Sequence, residues 1–451
     1  MTDCSIADWE IVMTCRPRLL LACLLGFASL IPSAAFGQTD ELRMVIVVSR
    51  HGVRAPIESE TRSNRYNTQP WPAWPTAPGV LTPHGATLMS NMGSFYRQRY
   101  AGLFRDRQSC STTIFAVANR TERTVSSAQA VLKGLAPTCS IEVHIHNASG
   151  LDPLFEAGAF AGVANHEELA AAIRGRLGGE PRWWPSAYQR PLEELQQVLL
   201  NCEKNVPCNT PAATKKLLDD TSIVKAAKIS DMVQIDGPVS KGADFAENFL
   251  LQYTEGFPMA QVGWGRVSRS ELNALMTMNT GYHDYVLRTP YFTQIGASDL
   301  ASRIGATLQQ AADEKSVPGA IGGPDARFLL LLGHDSNLTW LGGLLHLNWL
   351  LPNQPVNATP PGSALVFELR RNPKTNKFYL QVYFMSQTLD QMRYKTPLTT
   401  GHGPSIATIF VPGCSTDATN RCPLERFQNL IQSTVDRSFV EPVSSTGQLN
   451  P

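Results

Sequence analysis

The hydrophobic pattern of the chain predicts two blocks of short strands. Compact apolar runs, often rich in β-branched residues and bounded by polar residues or glycine, are typical of strands buried in a sheet. Six such runs occur: Met44–Val48, Thr113–Val117 and Ile141–Ile145 in the first block, then Phe328–Leu332, Ala364–Leu369 and Phe378–Phe384 in the second. The last two flank the polar segment Asn372–Lys377, which predicts a hairpin turn.

The segment between the two blocks has apolar residues at helical spacing. Four stretches show this pattern: His166–Leu177, Pro191–Leu200, Ala212–Leu218 and Phe245–Tyr253. The whole pattern predicts an α/β fold with a mostly parallel central sheet, flanking helices and an inserted smaller α-helical domain. We place the split α/β domain at residues 38–160 and 286–451 and the inserted domain at residues 161–285. A ligand is expected in the cleft between the two domains.

The first 37 residues are predicted to be a signal peptide. Arg16 and Arg18 precede the apolar stretch Leu19–Leu30, which is too short for a typical membrane span. Ala35-Phe36-Gly37 has small residues where a signal peptidase reads the chain, so we place cleavage after this tripeptide. Met13 is an alternative start, and an uncleaved membrane anchor is the competing interpretation. We expect a periplasmic or secreted protein that has no membrane contact after cleavage.

The cysteines agree with export. Three of the nine fall within the leader and six remain, an even number that predicts disulfides in an exported chain. Six cysteines allow fifteen pairings, and the sequence separations favour three bridges that close short loops: Cys110–Cys139, Cys202–Cys208 and Cys414–Cys422. A metal site is the weaker interpretation, because the cysteines lie far apart and no paired Cys-x-x-Cys motifs occur.

The small net charge argues against one class of function, the binding of nucleic acid. The formal net charge is only +1, so no general attraction to nucleic acid is expected. Hydrophobic residues make up 43% of the chain, which is enough for a large globular core. Because the net charge is so small, any strong positive electrostatic field must come from a local cluster of basic residues.

Polar residues follow three of the predicted strands at their carboxyl ends, where open α/β sheets bind ligands. These segments are Arg50-His51-Gly52-Val53-Arg54-Ala55-Pro56, Asn119–Thr124 and His334–Asn337. Guanidinium groups match the oxygens of a phosphate, an imidazole can attack phosphorus, and a carboxylic acid can protonate the leaving group. The three segments therefore predict phosphoryl-transfer chemistry.

The number and order of these motifs resemble the histidine acid phosphatases, in the group that contains bacterial periplasmic phytases and glucose-1-phosphatases. The resemblance extends from about Glu41 to the Cys414–Cys422 region and includes Trp71–Pro75, Leu81–Gly85, Asp152–Phe155, Trp264–Arg266 and Arg288–Pro290. It implies the fold and the disulfide pairing given above.

The resemblance also implies roles for individual residues. His51 would be the phosphohistidine nucleophile and Asp335 the proton donor. Arg123 is preferred to Arg120 because it stands in the Glu-Arg-Thr of the family pattern. The phosphate pocket would consist of Arg50, Arg54, Arg123 and His334.

These residues predict a phosphomonoester hydrolase that forms a phosphohistidine intermediate. We expect a phytase, which would act on myo-inositol hexakisphosphate, or a broad acid phosphatase. No cofactor and no metal are expected, because guanidinium groups neutralise the phosphate. The alternatives are a glucose-1-phosphatase-type sugar phosphatase, a phosphoglycerate-mutase-like transferase and an inactive phosphosugar-binding protein. The His334-Asp335 pair argues against a mutase, and a binding protein does not need Asp335.

Four residues are candidates for contact with the rest of the substrate: Glu58, Glu255, Arg288 and Asn337. Glu58 stands where phytases often have a lysine, and its carboxylate would repel a hexakisphosphate. Glu255 resembles the glucose-1-phosphatase pattern, in which the equivalent glutamate faces sugar hydroxyls. Arg288 would bind an additional phosphate, and Gly52-Val53 follows the phytase pattern. The sequence thus predicts a small phosphorylated substrate and leaves open whether it is an inositol phosphate or a sugar phosphate.

Overall fold

A mixed β-sheet forms the centre of the computed structural model, which describes residues 40–57, 65–104, 110–146, 149–202, 215–227 and 231–442. The strands of the described residues are β1 (Glu41–Arg50), β2 (Ile114–Ala118), β3 (Val143–Ile145), β4 (Ile223–Ala226), β5 (Val233–Asp236), β6 (Phe328–Gly333), β7 (Ala364–Arg371), β8 (Phe378–Ser386), β9 (Ser405–Ile409) and β10 (Cys422–Pro423). Eight of them form the large sheet in the order β10-β8-β7-β1-β6-β2-β3, with β9 paired to β8, and β4 and β5 form a separate pair.

The α/β fold is confirmed, but the sheet is less parallel than predicted. Strands β1, β6, β2 and β3 run parallel to one another. Strands β7 to β10 pair in antiparallel fashion. The predicted hairpin explains the difference, because a short turn between β7 and β8 forces these two strands to be antiparallel.

The central strands are buried on both faces, which explains their continuous apolar sequences. Met44–Val48 of β1 and Phe328–Leu332 of β6 are at most 1% exposed. Successive side chains of a strand point to opposite faces. Val45 and Val47 accordingly belong to one hydrophobic cluster and Ile46 to the other.

Helices cover both faces of the sheet. The α-helices of five or more residues in the described ranges are α1 (Pro83–Arg99), α2 (Glu122–Leu135), α3 (His166–Arg176), α4 (Gln189–Leu200), α5 (Pro238–Glu255), α6 (Arg269–Tyr282), α7 (Pro290–Asp313), α8 (Asp335–Leu344), α9 (Leu389–Arg393) and α10 (Leu424–Thr434). Among the described residues, no helix combines the length and the apolar character needed to cross a membrane.

The segment predicted as a helical insertion contains α3 to α6 together with the β4–β5 pair. Three of its four predicted helices are confirmed. The fourth, Ala212–Leu218, is wrong over its described part, where only the 3₁₀ turn Leu217–Asp219 forms. Helix α6 begins with a capping box, in which Ser268 and Glu271 each accept a hydrogen bond from the other's backbone N–H.

One predicted disulfide is confirmed directly, because Cys414 is bonded to Cys422. Cys139 and Cys202 are also disulfide-bonded. Their predicted partners are Cys110, whose side chain lies outside the described part of the structure, and Cys208, which lies outside it entirely. The other two pairings therefore stay predictions.

Candidate active site

Three parallel strand ends meet at one edge of the sheet, because β1, β6 and β2 are direct neighbours. The N–H of His51 donates to the Gly333 carbonyl at 3.0 Å, and the N–H of Asn119 donates to the Leu332 carbonyl at 2.9 Å. The imidazoles of His51 and His334 consequently lie edge to face, with ring centroids 5.6 Å apart. The segments that the sequence predicted to form one site thus lie side by side.

The orientation of His51 leaves a nitrogen ready for nucleophilic attack. Its Nδ1 lies 2.8 Å from the Gly52 carbonyl oxygen. A carbonyl only accepts hydrogen bonds, so Nδ1 has the hydrogen and Nε2 retains the lone pair. Burial, followed by the charges of Arg50 and Arg54, holds the pKa of His51 well below its usual value. The neutral imidazole therefore persists to lower pH than that of an ordinary histidine.

The loop after β1 is fixed by helices α1 and α2. The N–H of Gly52 donates to Ser127 Oγ of α2 at 2.9 Å. Thr82 donates its own N–H to the Val53 carbonyl at 3.0 Å, and its side chain caps α1 by accepting from the N–H of Gly85 at 2.8 Å. A Cβ atom on Gly85 would lie 2.1 Å from the Val53 carbonyl, so this close approach requires glycine.

Arg50 is clamped between a carbonyl and two carboxylates. Its side chain is almost fully buried, and Nη1 donates to the Thr359 carbonyl at 2.5 Å. Its Nη2 forms an ion pair with the buried Glu247 of α5 and lies 3.3 Å from Asp335 Oδ2. The guanidinium group is thus held rigidly at the strand end, as the binding of a tetrahedral anion requires.

His334 and Arg123 form the other side of the pocket. Arg123 Nη2 lies 3.5 Å from His334 Nδ1, and His334 Nε2 lies 3.2 Å from Asn119 Oδ1. Because a guanidinium group only donates, Nδ1 accepts and Nε2 donates to Asn119. Burial, followed by the charge of Arg123, lowers the pKa of His334 to about 4.

Arg54 completes the ring of cations around His51. It is 5% exposed, and its Nη1 donates to the Ala55 carbonyl at 3.1 Å. Its charge lowers the pKa of His51 and that of His334 after the contribution of burial. Such concentrated positive charge suits a phosphate dianion.

Asp335 is the first residue of α8 and faces this pocket. Its side chain is 29% exposed, and its Oδ1 accepts the N–H of Ser336 at 2.8 Å. Burial alone would raise the pKa of Asp335, but Arg50, His283, His51 and His334 together hold that pKa far below its usual value. The positive end of the α8 dipole acts in the same direction. Without ligand, Asp335 is therefore a carboxylate.

Asn337 holds the turn from β6 into α8. It is 1% exposed, its Oδ1 accepts the N–H of His334 at 2.8 Å, and its Nδ2 donates to the Phe155 carbonyl at 2.8 Å. A Cβ atom on Gly333 would lie 2.3 Å from Asn337 Oδ1, so the tight turn requires glycine there. These contacts are with the protein's own backbone, and the substrate contact of Asn337 stays a prediction.

Arg288 does not lie with the other arginines. Its Nη2 donates to the Leu347 carbonyl at 2.8 Å and lies 3.2 Å from Asn348 Oδ1. Its Nη1 is close to Gly342, which is seven residues after Asp335 on α8. Seven residues of helix span roughly 10 Å. The structure therefore places Arg288 at the opposite end of α8 from the pocket.

The two glutamates proposed to contact substrate differ in what the structure describes. Glu58 lies outside the described residues. Glu255, the last residue of α5, accepts the hydroxyl hydrogen of Thr82 at 2.6 Å. Burial raises the pKa of Glu255 to about 7, although the hydrogen bond from Thr82 lowers it. Its contact with sugar hydroxyls stays a prediction.

We expect Glu255→Gln to change how stability depends on pH. The pKa of Glu255 in the folded protein, about 7, is higher than that of an unfolded chain, near 4.3. The favourable contribution of the neutral form is complete below the unfolded pKa and is lost as the pH rises through 7. A glutamine mimics the neutral form at every pH. Thermal unfolding at pH 4 should give equal melting temperatures for the variant and the unchanged protein. At pH 8 the variant should melt a few degrees higher. The same difference in melting temperature at both pH values would contradict this prediction.

Two buried polar residues of the site were missed from sequence. Glu247 is a lone acidic residue within the apolar face of α5, and a buried carboxylate normally requires a cationic partner. Asn119 stands directly after β2 and is fully buried. Both residues could therefore have been recognised from the sequence, Glu247 as an acidic residue on an apolar helix face and Asn119 as a polar residue at a strand end. In the described ranges, no group of three or more His, Cys, Asp or Glu side chains is arranged to hold a metal ion.

Comparisons with known proteins agree with this geometry. Residues 41–385 match the model of the histidine phosphatase superfamily (branch 2). Phytase AppA of Escherichia coli is 34% identical over 427 residues, which cover 91% of this chain and 97% of that protein. Glucose-1-phosphatase of Salmonella typhimurium is 28% identical, with 92% and 99% covered. The structure of Hafnia alvei phytase in complex with myo-inositol hexakis sulphate superposes with a TM-score of 0.78 at 30% identity, covering 91% of this chain and 100% of the other.

Proposed function

The chain belongs to branch 2 of the histidine phosphatase superfamily as a histidine acid phosphatase, and we propose that it is a phytase. The observation that supports catalysis most directly is the state of His51. Its Nδ1 donates to the Gly52 carbonyl, so the lone pair of Nε2 is available in a pocket surrounded by cationic groups. A buried neutral imidazole among arginines suits nucleophilic attack on a bound phosphate.

The first step is the transfer of the phosphoryl group to His51. Arg50, Arg54, Arg123 and His334 orient the phosphate and neutralise its oxygens. Nε2 of His51 then forms a bond to phosphorus while the bond from phosphorus to the ester oxygen breaks. The leaving alkoxide takes the proton of Asp335, which becomes a carboxylate.

The second step is the hydrolysis of the phosphohistidine. The Asp335 carboxylate accepts a proton from a water molecule, whose oxygen attacks phosphorus. Inorganic phosphate and neutral His51 are released, and Asp335 is again protonated. The ligand-free pocket favours the carboxylate form of Asp335. A bound phosphate brings negative charge next to Arg50, and this raises the pKa of Asp335 towards the range in which it can act as an acid.

The proposal that the substrate is an inositol phosphate is supported by the relatives. Phytase AppA covers nearly the whole chain, and the superposed Hafnia alvei enzyme has myo-inositol hexakis sulphate bound. A sugar phosphatase is the second candidate, supported by the similarity to glucose-1-phosphatase and by Glu255. We also propose that residues 1–37 direct export to the periplasm, consistent with the disulfide between Cys414 and Cys422.

A substrate panel tests the proposed function. The purified protein would be given phytate, glucose 1-phosphate and p-nitrophenyl phosphate at acidic pH, and kcat/KM would be compared. We expect kcat/KM for phytate to exceed that for glucose 1-phosphate at least about tenfold. The reverse preference would establish the sugar phosphatase. A folded protein that releases no phosphate from any of them would be a binding protein.

Activity towards an alkyl phosphate should peak below neutral pH. Burial keeps the pKa of His51 low, so the nucleophile remains neutral as the solution becomes acidic. Asp335 must be protonated to donate, and it loses that proton as the pH rises, so the rate should fall on the alkaline side. The measurement is kcat across the pH range with an alkyl phosphate. A maximum above about pH 8, where a carboxylic acid is scarce, would contradict the assignment of Asp335.

A further inference from the structure

His283 is a buried histidine that has no part in the steps above. It is 6% exposed and begins the π-helix His283–Leu287, which follows α6 directly. A π-helical turn is rare and is frequently found at functional sites. This turn packs against α8 and brings His283 Nδ1 to 3.5 Å from Thr339 Oγ1.

The contact with Thr339 shows where His283 lies relative to the proton donor, Asp335. Thr339 lies four residues after Asp335 on α8, so the two side chains are neighbours on one face of the helix. His283 therefore packs against the face of α8 on which Asp335 lies. The titratable and charged groups that face this pair come from several elements: Arg50 and His51 at the end of β1, Glu247 on α5, Tyr282 on α6, and His334 at the end of β6.

We propose that His283 is a positioning residue for the proton of Asp335, gaining positive charge when Asp335 is ionised and losing it when Asp335 is protonated. The inference rests on the proposed role of Asp335 as proton donor. His283 exchanges its own proton with solvent. It acts on the reaction only through the charge that it places near Asp335.

The charges in the pocket support this coupling in both directions. Burial lowers the pKa of His283, whereas the carboxylate of Asp335 raises it and Arg50 lowers it. Burial raises the pKa of Asp335, while Arg50 and then His283 lower it. An imidazolium group beside Asp335 therefore stabilises the carboxylate that forms when the leaving group is protonated. That same carboxylate is the base that the second step requires.

A pH profile of His283→Gln tests the proposal. Glutamine keeps a polar group near Thr339 but cannot become a cation, so the alkaline limb of kcat for glycerol 2-phosphate should move up by about half a pH unit or more. The shift should be smaller for p-nitrophenyl phosphate, because its leaving group needs less protonation. An active variant whose alkaline limb stays in place for both substrates would overturn the proposal.

The matched control is His166→Gln. His166 lies on α3, and its ring nitrogens contact the carbonyls of Ala227 and Ala161 at 2.7 and 2.9 Å. The change removes a partly buried histidine that also lies within residues 161–285, without altering the charge near Asp335. We expect the pH profile of this variant to match that of the unchanged protein. An equal shift in both variants would assign the effect to packing and overturn the proposal.

A second measurement does not depend on turnover. The imidazole resonances of His283 would be titrated by NMR in the unchanged protein and in Asp335→Asn. Because the carboxylate raises the pKa of His283, that pKa should fall by about half a unit or more when the carboxylate is removed. An unchanged pKa would overturn the proposal even if the protein is an active phosphatase. Absence of phosphatase activity, by contrast, would refute the proposed function whatever the titration shows.

Discussion

His51→Ala should lose at least about four orders of magnitude in kcat for every phosphate monoester, because the bond to phosphorus forms on this side chain. None of the neighbouring groups is suited to replace it. Arg50 is held by Glu247 and the Thr359 carbonyl, and His334 lies between Arg123 and Asn119. The measurement is steady-state phosphate release together with trapping of a phosphoenzyme from a labelled substrate. The unchanged protein should give an acid-labile, base-stable label on His51.

The control for this variant is His402→Ala, which removes an exposed histidine in a loop that the site does not use. It should retain full activity. Inorganic phosphate should still protect His51→Ala against thermal unfolding, because Arg50, Arg54 and Arg123 remain. A His51→Ala protein that still forms a labelled enzyme would show that another residue is the nucleophile.

The main residues of the site could be predicted from the sequence because they directly follow the ends of strands. Each of the segments after β1, β2 and β6 begins where an apolar run stops, and parallel neighbouring strands end at the same edge. Order in the sheet then brings His51, Asn119 and His334 together. The motifs therefore predicted that His51 and His334 meet without any knowledge of the helices, whereas the contribution of Asn119 was missed.

The residues that support the site could not be predicted in the same way. Glu247 reaches Arg50 from α5, 197 positions along the chain, and Thr359 contributes only a carbonyl oxygen. Local periodicity gives the buried face of a helix but not the partner that the face meets. The same limit applies to Arg288, whose motif suggested a second phosphate site although its guanidinium group binds the loop after α8.

The relative direction of the strands was the other feature that the hydrophobic pattern could not predict. Continuous apolar strands are typical of parallel sheets, but β7 is buried throughout Ala364–Leu369 although it lies in an antiparallel half of the sheet. Burial on both faces, and not strand direction, produced the apolar pattern. The polar segment between β7 and β8 was the better guide to their direction.

Asp335→Asn should separate the proton donor from the nucleophile. Asparagine has nearly the same size and can still accept the N–H of Ser336, but it cannot donate a proton as a carboxylic acid does. The loss in kcat should be about 10²- to 10⁴-fold for an alkyl phosphate, whose leaving alkoxide is strongly basic. The loss should be much smaller for p-nitrophenyl phosphate in the first step, because the phenolate leaves readily.

Trapping experiments distinguish the two steps in this variant. Dephosphorylation also uses the Asp335 carboxylate, so the labelled phosphohistidine should accumulate on His51 when p-nitrophenyl phosphate is the substrate. Asp313→Asn is the matched control, because Asp313 lies at the exposed end of α7 and accepts hydrogen bonds from Gln309. Equal losses on alkyl and aryl substrates, with no trapped intermediate, would mean that Asp335 acts only by holding Arg50. The 3.3 Å contact between these two residues would then be the whole of its contribution.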